Sequence, residues 1–371
     1  MKDRILITSL LLISIGPLLA DDELTALQRL GKSIFFDPAL SEPAGQSCSS
    51  CHDPAHGFAD PDQHLPTSEG VINGFFGSRN TPSVAYAAFS PELYFDAEEE
   101  HFVGGQFLDG RSANLEEQAQ GPFLNPVEMA NPDIKTVVSK IRKAPYAEDF
   151  NKVFGSGALQ HTDVAYDHVA AAIAAYERSR EVNPFTSKYD YYLAGKAELS
   201  TEEKRGLELF EAEEKGNCAA CHISNSENTD LPPLFTDFTY DNLGVPKNPK
   251  NRIYKMDKQF NPHGDAFVDK GLGASIRVSR AEHDGKFKVN TLRNIDKTAP
   301  YMHNGVFTTL KEVVDFYNTR DVSDKWGKPE VSENVNDEEL GDLKLNEQEI
   351  DDIVAFMKTL TDGYQLDNKI K

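Results

Sequence analysis

Apolar positions fall at helical spacing in two matching pairs of segments. Near the start, Leu27, Leu30, Ile34 and Phe35 line one side of a short stretch that also carries Gly31, and Gly206, Leu207 and Phe210 repeat that arrangement later. Both stretches read as helices whose glycine permits close packing. Ser200 followed by Glu203 is a capping-box pattern that starts the second of them. Each half of the chain also closes on an amphipathic helix. The first runs roughly over 164–180, with Val169, Ile173 and Tyr176 on one side. The second is capped by Asn346 and Glu349 and repeats Ile350, Ile353, Val354, Met357 and Leu360 at the 3.6-residue period. No alternating pattern persists long enough for an extensive sheet, and Gly, Pro, Asn and Asp are frequent between the helices. The expected fold class is mainly α with long loops.

The first twenty residues follow a different pattern. Lys2 and Arg4 precede an almost wholly apolar run from Ile5 to Leu19, and Ala20 then gives way to Asp21 and Asp22. This is the layout of a secretory leader cut after Ala20. As a membrane anchor the run is short and is broken by Gly16-Pro17. No later stretch is apolar enough to span a bilayer. The rest is too long for one core, so two domains are expected, over residues 21–185 and 186–371. The segment from Asn183 to Leu199 is the expected crossing between them. A net charge of −22 disfavours nucleic acid as a partner; it suits either steering of a basic partner or salty surroundings.

Four cysteines in an exported chain would ordinarily suggest two disulfides. Here they fall as Cys48-Ser-Ser-Cys51-His52 and Cys218-Ala-Ala-Cys221-His222, and each is C-x-x-C-H, the signature of c-type haem attachment. Two thiols three positions apart can each bond one haem vinyl group, and the adjacent histidine then sits under the iron. Zinc is the competing use of C-x-x-C pairs. A four-thiolate site would have to bring together pairs 170 residues apart and would leave both histidines unexplained. Helix, haem motif, loops and closing helix together resemble the class I cytochrome c fold, used twice with one covalent haem each.

Further segments carry a second resemblance. They are Arg79-Asn80-Thr81-Pro82-Ser83, Phe107-Leu108-Asp109-Gly110-Arg111, the run from Glu117 to Met129, Thr291-Leu292-Arg293-Asn294, and Thr298-Ala299-Pro300-Tyr301-Met302-His303-Asn304-Gly305. In order and spacing they resemble the bacterial di-haem cytochrome c peroxidase and MauG family, over essentially the whole chain beyond the leader. The resemblance implies that Glu128 handles the protons of bound peroxide, with Gln118 beside it. Outside that pattern a glutamate in a solvated loop would be the ordinary reading. Peroxidases of the family carry a haem-capping histidine eight residues before the asparagine of Arg-Asn-x-Pro. That place here is Ile72, which implies an open first haem; His64 would reach it only by another loop path, and His56 suits a structural role.

The axial methionine of those peroxidases falls at Tyr317, fourteen residues after His303, where MauG-like members have a tyrosine ligand. Tyr317 also lies on the apolar face of a helical stretch from Leu310, so a core tyrosine is the alternative, and Met302 or Met256 would serve the iron in a different register. A tryptophan common between the haems is replaced by Leu108, with Phe107 as a nearby aromatic; the single tryptophan is Trp326. The family further implies a calcium ion held by Asn80, Thr298 and Pro300. The expected protein is thus a periplasmic oxidoreductase using hydrogen peroxide. Its electron donor would be a partner protein's Trp or Tyr side chains, or a small cytochrome as in a conventional peroxidase. A di-haem electron carrier with no enzymatic activity is the remaining alternative.

Overall fold

The computed structural model describes residues 23–225 and 231–366, so the leader lies outside the described residues. The helices in chain order are α1 Ala26–Phe35, α2 Cys48–Cys51, α3 Leu115–Leu124, α4 Ile134–Ile141, α5 Ala147–Phe154, α6 Thr162–Glu177, α7 Lys188–Leu193, α8 Thr201–Glu211, α9 Leu310–Thr319 and α10 Glu347–Lys358. Among the described residues the sheet content is two short antiparallel ladders: β1 Tyr94–Asp96 with β2 His101–Val103, and β3 Tyr240–Asp241 with β4 Phe287–Lys288. No described helix is long and apolar enough to cross a membrane.

The helical periods convert directly into packing. α1 lies against α6 and α8 against α10. In the first pair a Cβ built on Gly31 would sit 1.8 Å from the Ala172 carbonyl oxygen; in the second, one on Gly206 would sit 1.9 Å from that of Asp352. Only glycine allows backbones this close. Replacing Gly206 by alanine forces the helices apart, and overpacking of this kind costs about 1–3 kcal/mol. Urea unfolding of the variant is expected to show a lower midpoint by that amount; an unchanged midpoint would mean that the contact is not tight.

The caps anticipated from sequence form: Ser200 accepts from the Glu203 N–H and Asn346 from that of Glu349, each with the reciprocal bond. Two apolar clusters follow the helix pairs. One gathers residues between Leu30 and Val182, including Phe35, Phe123, Phe150 and Tyr176; the other gathers Tyr189 to Leu360, including Phe210, Phe235, Phe316 and Phe356. The segment 183–199 is not simply a connector, because it contains α7, capped by Ser187 and Asp190. Asp190 in turn holds the buried Arg293 at 2.8 and 3.0 Å.

The long loops close the gap between the two clusters. Arg79 reaches Asp109 at 2.6 Å and Asp269 at 2.7 Å, with little of any of the three side chains exposed. Burial alone would raise the Asp269 carboxyl, but the guanidinium beside it holds it well below the usual range. A smaller cluster joins Phe76 and the half-buried Val127 to Ile253, Tyr254 and Met256. The two halves are therefore locked by a desolvated ion-pair network and an apolar seam.

Candidate active site

α1 ends at Phe35, and after the connection 36–47 α2 carries Cys48 and Cys51, with Cys48 packed against the first apolar cluster. The second motif begins in a single tight turn at Cys218–Ala220 after α8. None of the four cysteines forms a disulfide, and all are half-buried. Desolvation pushes Cys51, Cys218 and Cys221 up to about 12, and Cys48 higher still, so the free thiols stay neutral.

The two histidines are held alike. His52 places Nδ1 3.1 Å from the Phe58 carbonyl and His222 places Nδ1 2.9 Å from the Phe235 carbonyl. A carbonyl only accepts, so Nδ1 carries the proton and Nε2 keeps its lone pair for a metal. Burial pushes His52 down to about 4 and lowers His222 too, so both rings are neutral and fit to ligate. Unligated thiols beside a neutral, oriented imidazole are the donor set that a covalent haem needs, twice over. Sequence reasoning named the histidines but not Phe58 and Phe235. Any residue offers a carbonyl, so composition carries no signal for them.

Cys218, Cys221, His222 and Tyr317 line one cavity, together with Met302. Tyr317 comes from α9, and burial raises its phenol, with the two thiols adding to the effect. Met256 packs instead with Phe76, Ile253 and Tyr254. Trp326 packs edge-on against Phe307 and Phe316, and its Nε1 donates to Thr319 at 2.9 Å. The cavity wall continues through Phe107 and Leu108 to Asn80, Thr298 and Pro300. Asn80 is fixed there by its N–H on the His303 carbonyl, 2.7 Å away. Lys288, which the sequence did not single out, is half-buried in the same wall. Its backbone N–H donates to the Leu108 carbonyl and its ammonium reaches Ser90 at 3.1 Å. Desolvation pushes it down to about 7.

On the first motif's side, Gln118 lies on α3 one turn before Gly121, against which the Phe107 ring rests. α3 ends in a tight turn that carries Glu128, closed by the Glu128 N–H on the Asn125 carbonyl at 3.0 Å. Glu128 lies within electrostatic range of Cys48 and Cys51. Burial raises its carboxyl; Arg111 and Asn125 oppose that without cancelling it. The Arg111 guanidinium stacks 3.4 Å from the Phe107 ring centre and bonds Asp109 at 2.9 Å, so one residue ties the Asp-Gly-Arg segment to the glutamate. The Val71 N–H donates to the Glu128 carbonyl at 2.8 Å, which puts Ile72 beside this turn. His64 is exposed, and His56 is bound to Asp53 at 2.9 Å.

The comparisons agree with this geometry. A family profile described as di-haem cytochrome c peroxidase matches residues 25–198. The methylamine utilization protein MauG of Paracoccus denitrificans is 40% identical over 92% of this chain and 89% of its own length. Cytochrome c551 peroxidase of Nitrosomonas europaea is 32% identical over 100% of this chain and 95% of its own length. Among solved structures, a tyrosine-to-methionine variant of the di-haem peroxidase BthA from Burkholderia thailandensis superposes with a TM-score of 0.81. The identity is 34%, over 91% of this chain and 86% of that one. With two neutral histidine sites set beside paired thiols, the chain belongs to the di-haem cytochrome c peroxidase and MauG family and is a di-haem oxidoreductase.

Proposed function

We propose that this chain is an exported, MauG-like oxidase of the periplasm that reduces hydrogen peroxide and draws the electrons from side chains of a partner protein. One haem is held by Cys48, Cys51 and His52; the second by Cys218, Cys221, His222 and Tyr317. Each half is then a cytochrome c-like domain, with the boundary near residue 185, in keeping with the two apolar clusters. The haems supply the redox chemistry. The protein's own part is proton handling and ligand choice.

Glu128, half-buried beside the first motif, accepts the proton of hydrogen peroxide and returns it to the departing oxygen, so that water leaves rather than hydroxide. Gln118 orients the oxidant by hydrogen bonding. Ile72 cannot occupy the iron, so no capping side chain has to move first. The observation that carries the reading is Tyr317, which shares one cavity with His222 and both thiols of the second motif. A hard anionic oxygen there favours electron-poor iron, where a thioether would favour the reduced state.

Electron paramagnetic resonance of the ferric protein, followed by peroxide addition with a candidate partner, tests this. The expected result is one high-spin and one low-spin centre, with oxidised Trp or Tyr in the partner by mass spectrometry. Two six-coordinate centres that ignore peroxide would make it an electron carrier. Rapid turnover with a reduced small cytochrome, after pre-reduction, would make it a conventional peroxidase.

Asn80, Thr298 and Pro300 lie on one wall of that cavity and offer oxygen donors only, which suits calcium. Chelation is expected to lower the thermal midpoint, with recovery on adding calcium but not magnesium. A midpoint indifferent to both would remove the ion from the account.

A further inference from the structure

Besides its wall toward the first motif, the second motif has a side that faces solvent through aromatic rings. The Phe235 carbonyl that holds His222 belongs to a fully buried ring whose centre is 5.6 Å from that of Tyr189. Tyr189 is buried and stacks on Tyr192 at 5.9 Å and 28°. Tyr192 is half-buried and so reaches the surface on α7. We propose that Tyr189 and Tyr192 form an electron relay from the protein surface to the proximal side of the second haem site. The proposal rests on the peroxide-using reading above and adds to it the route by which the outside donor is oxidised.

Three physical features support the assignment. Each ring-to-ring step is short, and both tyrosines are far easier to oxidise than the phenylalanines that make up the rest of this cluster. Losing an electron makes a phenol strongly acidic, so a relay tyrosine needs a proton acceptor. We assign that part to Glu211: its exposed carboxylate, held by the Ser224 hydroxyl at 2.6 Å, acts electrostatically on the Tyr189 phenol, and since no hydrogen bond joins the two the proton would pass by way of water. Ordinary core packing explains the rings, but it needs neither the carboxylate nor an opening to solvent.

The balance is one electron at a time. On the proposed reading Tyr189 would give one electron to the oxidised second haem site and its phenolic proton, by way of water, to Glu211. The Tyr189 radical regains an electron from Tyr192 and its proton from Glu211. Tyr192 loses its own proton to water and is restored by one electron and one proton from the donor. That donor is a Trp or Tyr side chain of a docked protein. No bond to carbon forms or breaks within the relay.

The holoprotein is treated with hydrogen peroxide, without donor, in the presence of a nitroso spin trap, then digested for peptide mass spectrometry. The lifetime of the oxidised haem state is followed optically in parallel. A trap adduct on Tyr192 is expected, together with a several-fold longer lifetime in both Tyr189→Phe and Tyr192→Phe. Tyr191→Phe serves as the control, since Tyr191 pairs with Tyr364 instead, at 6.2 Å. Its lifetime should match that of the unaltered protein. Unaltered ferric spectra in all three variants would establish that the haem sites are intact. If the oxidised state forms but Tyr192 carries no adduct and the lifetimes are unchanged, the relay is wrong and the peroxide chemistry stands. If no oxidised state forms at all, both fall together.

Discussion

Replacing Glu128 by glutamine is expected to slow the reaction with hydrogen peroxide by about 10²- to 10⁴-fold, the usual worth of a positioned acid–base group, while both haems stay attached. Glutamine keeps the size and the hydrogen-bonding shape but can neither take nor return a proton. On the proposed assignment attachment would depend on Cys48 and Cys51, which the substitution leaves alone. The pH profile adds a second mark. Burial lifts the Glu128 carboxyl above the ordinary range, so the ionised form needed to accept a proton is lost on falling pH sooner than for a solvated glutamate. The rate should therefore decline as pH drops through that raised value, and the declining limb should vanish in the glutamine variant. Stopped-flow spectra across pH would show both. A rate unaltered by the substitution would return Glu128 to the status of an ordinary loop glutamate.

What could be read from sequence, and what could not, divides by range of interaction. Motif spacing, helix period and caps are local, so Cys48 to His52, Cys218 to His222, Ser200 and Asn346 could be placed before any coordinates. The glycines of α1 and α8 were legible as well, because a small residue on an apolar face has few other uses. The Arg79–Asp269 pair spans 190 positions. No pattern in either neighbourhood announces it. Lys288 is harder still, since a lysine is ordinarily solvated and nothing beside it signals burial. The extra helix α7 was missed because six residues are too few to show a period. The roles of Glu128 and Tyr317 came from family resemblance. The fold places both residues near the expected motifs, but residue type alone would have left each as ordinary packing.

Changing Tyr317 to phenylalanine is expected to raise the reduction potential of the second haem on the order of 0.1 V or more, given that axial ligation alone spans about 0.8 V among haem proteins. Phenylalanine keeps the ring and therefore the packing against the α9 side of the cavity, but it removes the only oxygen of that side chain. In the proposed assignment the change takes an anionic ligand from ferric iron, so the ferrous form would gain relative stability. A methionine at the same place should raise the potential further. Spectroelectrochemical titration of the three proteins gives the order directly. Burial raises the Tyr317 phenol, so its ionised form would depend on a cation opposite it. A potential unmoved by the phenylalanine change would mean that the ring is core and nothing more.

The matched carbonyl bonds to His52 and His222 have one more consequence. A backbone oxygen cannot take the proton from an imidazole as a carboxylate can, so neither ring can gain anionic character and donate more strongly than its counterpart. A haem at either motif would therefore meet its histidine in the same neutral form. A division of labour between two such haems would then have to come from the other residues around them, with Ile72 and Glu128 near the first motif and Tyr317 in the cavity of the second.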